Sequence, residues 1–119
     1  MVIGFSIKGE YQVTEIEVDE DHWLANKKLK QLRLADEGIA VLGIERRNRI
    51  YIGAPYGETY VYPGDTIIAY GRKAALVELD MRPQGIEGEQ AHLDAIAIQQ
   101  HIESKQLRRD RKTQNHLVD

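Results

Sequence analysis

The sequence predicts an α+β fold: a small, mainly antiparallel sheet with short helices, followed by a helical tail. Between residues 11 and 70, apolar residues alternate in short runs that are separated by turn residues. Helical spacing of apolar residues occurs at only two points before residue 83 and returns after residue 86. Because strands follow one another instead of alternating with helices, the order favours α+β over a doubly wound α/β fold.

Composition limits the size and class of the protein. The chain has 119 residues, of which 42% are hydrophobic, and it has no cysteine. This length suits one domain with a short appendage, and the missing cysteines exclude disulfides, thiolate metal sites and a cysteine nucleophile. A net charge of -3 makes the chain a poor whole-surface binder of polyanions, so we expect no DNA or RNA partner. The apolar run 1–7 is far shorter than the roughly 20 residues of a membrane span.

The first half of the chain contains two predicted strands with a short helix between them. The segment YQVTEIEV at 11–18 alternates in character, which predicts a half-buried strand. Apolar spacing then predicts a short helix over Lys27 to Leu32. Both faces of Ile39 to Ile44 are apolar, which predicts a central strand buried on both sides.

The second half begins with a polar turn and ends with a helix. The polar residues 46–49 predict a hairpin turn, and Gly, Pro and Asp residues then separate a brief strand at 59–62 from a strand TIIAY. Helical spacing follows over Arg72 to Asp80, and Pro83 and Gly85 end that helix.

The predicted organisation is a connector at 1–10, a folded domain at 11–82, and a C-terminal helix with a basic polar tail at 83–119. The tail holds five basic residues and one acid, Asp110, between Lys105 and Lys112. We expect it to be solvated, with contact to a membrane surface or another polyanion as the alternative.

Enzymatic chemistry finds little support in the sequence. The serines, Ser6 and Ser104, lie in peripheral regions, and there is no GxSxG turn. Neither of the phosphate-binding patterns GxxxxGK[ST] and GxGxxG occurs. We therefore expect a protein that is not an enzyme.

A metal site is not predicted either. Six carboxylates lie between Glu10 and Asp21, but their spacing is not that of a calcium loop, and a solvated strand face explains them. Calcium at Glu15, Glu17 and Asp19 is the alternative. His92 and His101 are nine residues apart, on opposite faces of a regular helix, and cannot share one ion.

The segment GIAVLGIERRNRIYIGAP is the most informative for ligand binding. It joins an aliphatic strand, with Ile39 and Val41, to three arginines and a Gly/Pro loop. Arginine forks suit phosphate and flat aliphatic surfaces suit a purine; the alternative is a hairpin tip kept soluble by charge. Five tyrosines follow, for which we expect sheet packing, with base stacking as the alternative: Tyr51, Tyr56, Tyr60, Tyr62 and Tyr70.

Five ordered segments of the chain resemble a known family. They are YQVTEIEV, WLANKKLKQLRL, GIAVLGIERR, IGAPYGET and YPGDTIIAYGR. In this order and spacing they resemble the C-terminal domain of regulators of potassium conductance, called RCK_C or TrkA-C, over about 11–80. Asn26 stands where the family commonly has glycine, and Asn tolerates the left-handed conformation.

The resemblance implies a cytoplasmic, non-catalytic regulatory module of potassium channels, potassium uptake systems or cation/proton antiporters. It implies a homodimer that works with membrane-embedded transporter segments, in the same or a separate chain. No cofactor is implied, but some members bind cyclic di-AMP at the dimer interface. The positions that match the family's ligand contacts are Ile39, Val41, Arg46, Arg47, Asn48 and Pro55. The alternative is a ligand-free assembly module that joins protomers through a helix over Ile96 to Leu107.

Overall fold

Residues 4–118 are described by the structure, a computed structural model, with side chains described for 8–117. These residues form seven strands, two short helices, one long helix and one 3₁₀ helix, joined by loops. In chain order they are β1 (Gly4–Lys8), β2 (Tyr11–Glu17), β3 (Lys27–Lys28), α1 (Leu29–Leu32), the 3₁₀ helix (Leu34–Glu37), β4 (Ala40–Glu45), β5 (Tyr51–Gly53), β6 (Tyr60–Val61), β7 (Thr66–Arg72), α2 (Lys73–Met81) and α3 (Ile86–Val118). The predicted α+β class is confirmed.

The main sheet is antiparallel throughout. Its strands lie in the order β1-β2-β7-β4-β5, and β3 pairs with β6 in a separate two-stranded sheet. The longest ladder joins β2 to β7, from Tyr11 opposite Arg72 to Glu17 opposite Thr66. The predicted alternation of β2 is confirmed, since Thr14 and Ile16 are buried while Glu15 and Glu17 are exposed.

The core lies between the sheet and the helices. The buried aliphatic residues of the sheet form one cluster with Leu76 and Leu79 of α2 and with Trp23 and Leu24. The apolar side chains that alternate along the strands therefore pack against the helices on one side of the sheet.

The prediction of a strand buried on both faces is wrong for β4. Leu42 is 43% exposed, and the pairing register with β7 shifts between Val41 and Gly43. A shift of this kind is a bulge, which re-aims side chains and bends the strand. The central position of the sheet belongs to β7, which pairs on both edges.

The short helix begins two residues later than predicted. Lys27 and Lys28 form β3, pairing with Val61 and Tyr60, and α1 covers only Leu29–Leu32. Asn26, just before β3, has a φ of 65° and donates its N–H to the Val61 carbonyl at 2.7 Å. The expectation that Asn26 takes a left-handed conformation is thus confirmed.

Helix α3 runs without a break from Ile86 to Val118, so the predicted tail is helical. Its first turns pack closely on the core at Gly88, where an added Cβ would lie 2.0 Å from the Pro83 carbonyl oxygen and 2.7 Å from Trp23. From Glu103 to Leu117 every side chain is exposed. Glycine therefore allows the close approach of the helix, while its far half projects from the domain.

At the N-terminus, residues 4–8 of the expected connector form β1 and pair with β2. Residues 1–3 of that connector lie outside the described residues. Within the part of the chain that the structure describes, no helix combines the length and apolar character of a membrane span.

Candidate functional site

Three of the predicted ligand-binding residues line one groove. Ile39, Val41 and Pro55 border a depression of about 310 Å³ between the start of β4, α1 and the loop after β5. Ile39 is buried, whereas Val41 and Pro55 are each partly exposed. The groove therefore has an apolar floor that is open to solvent.

Two cations and a tyrosine also line this groove. The Arg33 side chain is 54% exposed, and its Nη1 lies 3.6 Å from an Asp36 carboxylate oxygen. Lys30 is held by Glu58, and hydrogen bonds from Lys30 and then Lys28 lower the pKa of Glu58 to about 2. Tyr56 is 72% exposed. The groove thus combines an apolar floor with positive charge.

Sequence reasoning missed the two cations of the groove. Lys30 and Arg33 are three residues apart, a spacing that places side chains on the same side of a helical turn. Arg33 follows α1 directly, with a φ of 47°. The spacing was a signal, but the pairing of the loop at 55–57 with α1 could not be read from it.

The other three predicted residues lie at the opposite end of β4. Arg46 forms an ion pair with Asp65, donates to the Tyr60 carbonyl at 2.9 Å, and lies 4.9 Å over the Tyr62 ring. Asp65 is 3% exposed and also accepts the Tyr62 N–H at 2.7 Å. Arg46 therefore joins the β4–β5 hairpin to the turn before β7.

The neighbours of Arg46 are more open. Arg47 is exposed, and its guanidinium lies beside Gly64, where an added Cβ would come within 2.5 Å of Nε. The Asn48 side-chain oxygen Oδ1 accepts the Ile50 N–H at 3.2 Å, which stabilises the turn. Along an extended strand, the five residue-to-residue steps from Val41 to Arg46 span about 16 Å. Within one chain, the structure brings together Ile39, Val41 and Pro55 and separates them from the hairpin.

The tyrosines form part of a surface stack. Tyr60 and Tyr62 are stacked with ring centroids 5.7 Å apart, and Lys28 lies 5.5 Å over the Tyr60 ring. Tyr51 lies over Gly43, where an added Cβ would meet its hydroxyl at 2.0 Å. The Tyr51, Tyr60 and Tyr62 rings lie on the small sheet and the β4–β5 hairpin, whereas Tyr56 is 72% exposed at the groove.

A buried charge network lies behind the groove. Arg82 Nη1 and Nη2 donate to the two carboxylate oxygens of Glu37 at 2.9 and 2.6 Å, and Glu78 also pairs with Arg82. Burial alone would lower the pKa of Arg82, but hydrogen bonds to Glu37 and Glu78 outweigh it and raise that pKa. The Arg82 guanidinium lies 4.6 Å over Trp23. The network connects the 3₁₀ helix with the end of α2.

His92 extends this network to α3 and the groove. Arg33 Nη2 lies 3.2 Å from His92 Nε2, and His92 Nδ1 lies 2.5 Å from Glu37. Because a guanidinium only donates, Nε2 must accept and Nδ1 must carry the proton that Glu37 accepts. His92 was considered in the sequence only as a metal ligand, and its structural partner Glu37 is distant in the chain.

The acidic residues do not assemble into a metal site in the region the structure covers. Glu17, Asp19, Asp65 and Asp80 border a depression of about 430 Å³. Among the described residues, no group of three or more carboxylates or histidines is arranged to hold a metal ion. Asp65 is already paired with Arg46.

A known protein family matches much of this chain. The model of the TrkA-C domain family matches residues 13–82, which is more than half of the chain and contains both the groove and the hairpin. No curated protein matches the chain. The match ends at Arg82, just before α3.

Proposed function

The chain belongs to the TrkA-C domain family, and on that premise we propose that it pairs as a cytoplasmic homodimer and binds cyclic di-AMP to regulate a membrane-embedded potassium channel or cation/proton transporter. TrkA-C domains have a regulatory role in potassium transport and are not catalytic. They belong to transport proteins and associate with membrane transport components.

The groove is the observation that carries this proposal. Its floor of Ile39, Val41 and Pro55 offers an aliphatic surface for an adenine ring. Arg33 and Lys30 supply cations beside that floor, where phosphate oxygens would lie, and arginine suits phosphate by its two-pronged geometry. Tyr56, mostly exposed at the same groove, is placed to stack on a base.

Symmetry supports a ligand that is shared between two protomers. A homodimer of this type has a two-fold axis, so both protomers contribute the same surface patch to the interface. Cyclic di-AMP is itself two-fold symmetric, with two adenines and two phosphates. One molecule would place an adenine in the groove of each protomer, and the exposed Leu42, Ile50 and Tyr51 would contribute to the interface.

Calorimetric titration and thermal unfolding with cyclic di-AMP test the proposal, with AMP as the asymmetric control. A ligand that binds only the folded state at 100 times its Kd stabilises that state by about 2.7 kcal/mol. We expect a rise in Tm with cyclic di-AMP that AMP at equal concentration does not produce. No heat and no shift with either nucleotide near millimolar concentration would favour the ligand-free assembly module instead.

Substitutions then locate the phosphate contacts. Lys30→Ala tests the groove and Arg47→Ala tests the hairpin, and Arg49→Asn is the matched control, because Asn tolerates the φ of 71° at that position. Loss of a charge-assisted hydrogen bond should weaken binding by about 1.5–3 kcal/mol. Arg47→Lys should restore only part of any loss at the hairpin, since an ammonium lacks the fork.

A further inference from the structure

The charges of α3 are separated along its length. From Ile86 to Ser104 the helix carries four acidic residues and no Lys or Arg, whereas from Lys105 to Val118 it carries five basic residues and one acid. Residues 1–85 add 13 Asp and Glu against 11 Lys and Arg, so residues 1–104 together hold 17 against 11. The far half of α3 is therefore a basic rod attached to an acidic domain.

One face of this helix carries a stripe with a seven-residue period. At this period, side chains return to within about 20° of the same direction on a helix. The stripe consists of Ile86, Leu93, Gln100, Leu107 and Gln114, with the small residues Ala97 and Ser104 beside it. The side chains of Leu93 and Leu107 are 55% and 51% exposed, so nothing in the described chain covers them.

The stripe is symmetric about Gln100. Leu93 and Leu107 are each seven residues from Gln100, and Ile86 and Gln114 are each fourteen residues from it. Two such helices running in opposite directions and crossing at Gln100 would place each Leu93 against the other copy's Leu107. The same arrangement would place Gln100 against Gln100, where a polar residue in an apolar seam selects the register.

We propose that α3 of a second copy of this chain packs antiparallel against this stripe, with the two-fold axis at Gln100. The basic half of each helix then lies along the acidic half of the other. Asp94 and Arg108 follow the two leucines in sequence, so they flank the seam on the same side. In the antiparallel pair they meet across the interface, twice by symmetry, as opposite charges.

Most of this face is accessible, and Gln100 borders a depression of about 210 Å³ that Arg33 and Asp36 of the domain also line. The helix packs on the core through Gly88 and His92, which contact Trp23 and Glu37. At 100° per residue, Gly88 lies about 140° and His92 about 100° around the helix from Leu93. The 33-residue helix is about 50 Å long, so the two domains would sit at opposite ends of the pair. This interface does not depend on a nucleotide.

Disulfide crosslinking of the full chain tests the proposal, because the protein contains no cysteine of its own. Gln100→Cys should form a crosslinked dimer on mild oxidation. Gln106→Cys, another exposed glutamine about 120° around the helix from Gln100, is the matched control and should not crosslink. Leu93→Cys and Leu107→Cys should each crosslink poorly alone but join when the two proteins are mixed.

The outcomes separate this interface from other arrangements. Self-crosslinking of Leu93→Cys would indicate a parallel pair and overturn the proposal, as would equal yields from Gln100→Cys and Gln106→Cys. If the wild-type chain binds vesicles containing phosphatidylglycerol while Gln100→Cys does not crosslink, the basic half serves an anionic membrane and the proposal fails. Thermal unfolding of Gln100→Cys with cyclic di-AMP reports on the groove separately.

A charge exchange provides a second test. Asp94→Arg alone should weaken the dimer by roughly threefold to tenfold, since two exposed pairs become repulsive. The double variant Asp94→Arg with Arg108→Asp should restore dimerisation, as measured by sedimentation equilibrium. Higher salt should weaken the wild-type dimer. A double variant no better than Asp94→Arg would contradict the predicted register.

Discussion

At the scale of single residues, the fully buried Arg82 imposes the strongest constraint on the fold. Both of its terminal nitrogens, Nη1 and Nη2, donate to Glu37, which lies 45 residues earlier in the chain. His92 forms a hydrogen bond with the same carboxylate. A buried charge without its partner costs several kcal/mol. The 3₁₀ helix, the end of α2 and the start of α3 are therefore stabilised as one unit.

Replacing Glu37 should show this dependence. Glu37→Ala leaves Arg82 with only the partly exposed Glu78 as its partner, and we expect a loss of about 3–5 kcal/mol in the free energy of unfolding, measured by urea denaturation. The neighbouring Asp36→Ala removes an exposed pair and should cost less than about 1 kcal/mol. Similar losses from both variants would show that the network does not stabilise the fold.

His22 should make stability depend on pH. Its Nδ1 accepts the Leu24 N–H at 3.0 Å, so Nε2 carries the proton and donates to the Asp80 carbonyl at 3.2 Å. Burial lowers the pKa of His22 below its usual 6.5 and outweighs the effects that raise it. As the pH falls below about 6.5, the unfolded chain takes up this proton first, so the folded state loses stability.

The measurement compares two proteins at several pH values. Urea denaturation between pH 7 and pH 5 should show a larger loss of stability in the wild type than in His22→Asn, whose amide does not titrate. The overall stability of His22→Asn is not the readout. Parallel pH profiles would show that His22 contributes nothing to the acid response.

At the scale of elements, the β4–β5 hairpin depends on a contact outside itself. Arg46→Ala would leave the buried Asp65 with fewer hydrogen bonds and should cost about 2–3 kcal/mol. Arg47→Ala, at the adjacent exposed position, should change the free energy of unfolding by less than about 0.5 kcal/mol. Chemical denaturation of both variants checks this, and an equal effect would mean that the Asp65 pair does not anchor the hairpin.

The elements also show where sequence patterns fail. The period of two in β2 reflects burial on one face, which is local, and it was predicted correctly. The two-residue strand β3 was predicted as helix because its pairing with β6 joins residues more than 30 positions apart. Apolar residues on both faces of β4 indicated burial, but the bulge between Val41 and Gly43 leaves Leu42 exposed.

At the scale of the whole molecule, an acidic domain carries a projecting basic helix. The molecule measures 56 × 30 × 27 Å, and the side chains from Glu103 to Leu117 contact solvent. A chain ending at Ser104 should therefore keep its fold, with a free energy of unfolding within about 1 kcal/mol of the full chain at concentrations where both are monomeric. Circular dichroism with urea denaturation measures this. Unfolding of the shortened chain would make the far half of α3 part of the core unit.

The sequence by itself determined the fold class, the family, and the apolar half of the candidate groove, because these follow from periodicity and from ordered motifs along the chain. Ile39, Val41 and Pro55 were identified in this way, and they meet in one groove. Only the tertiary structure decided which charges lie at the groove. Arg46 is engaged by Asp65, while Arg33 and Lys30 lie at the groove. The reason is that the pairing of distant strands determines which carboxylate lies beside an arginine. That pairing leaves no local pattern in the sequence.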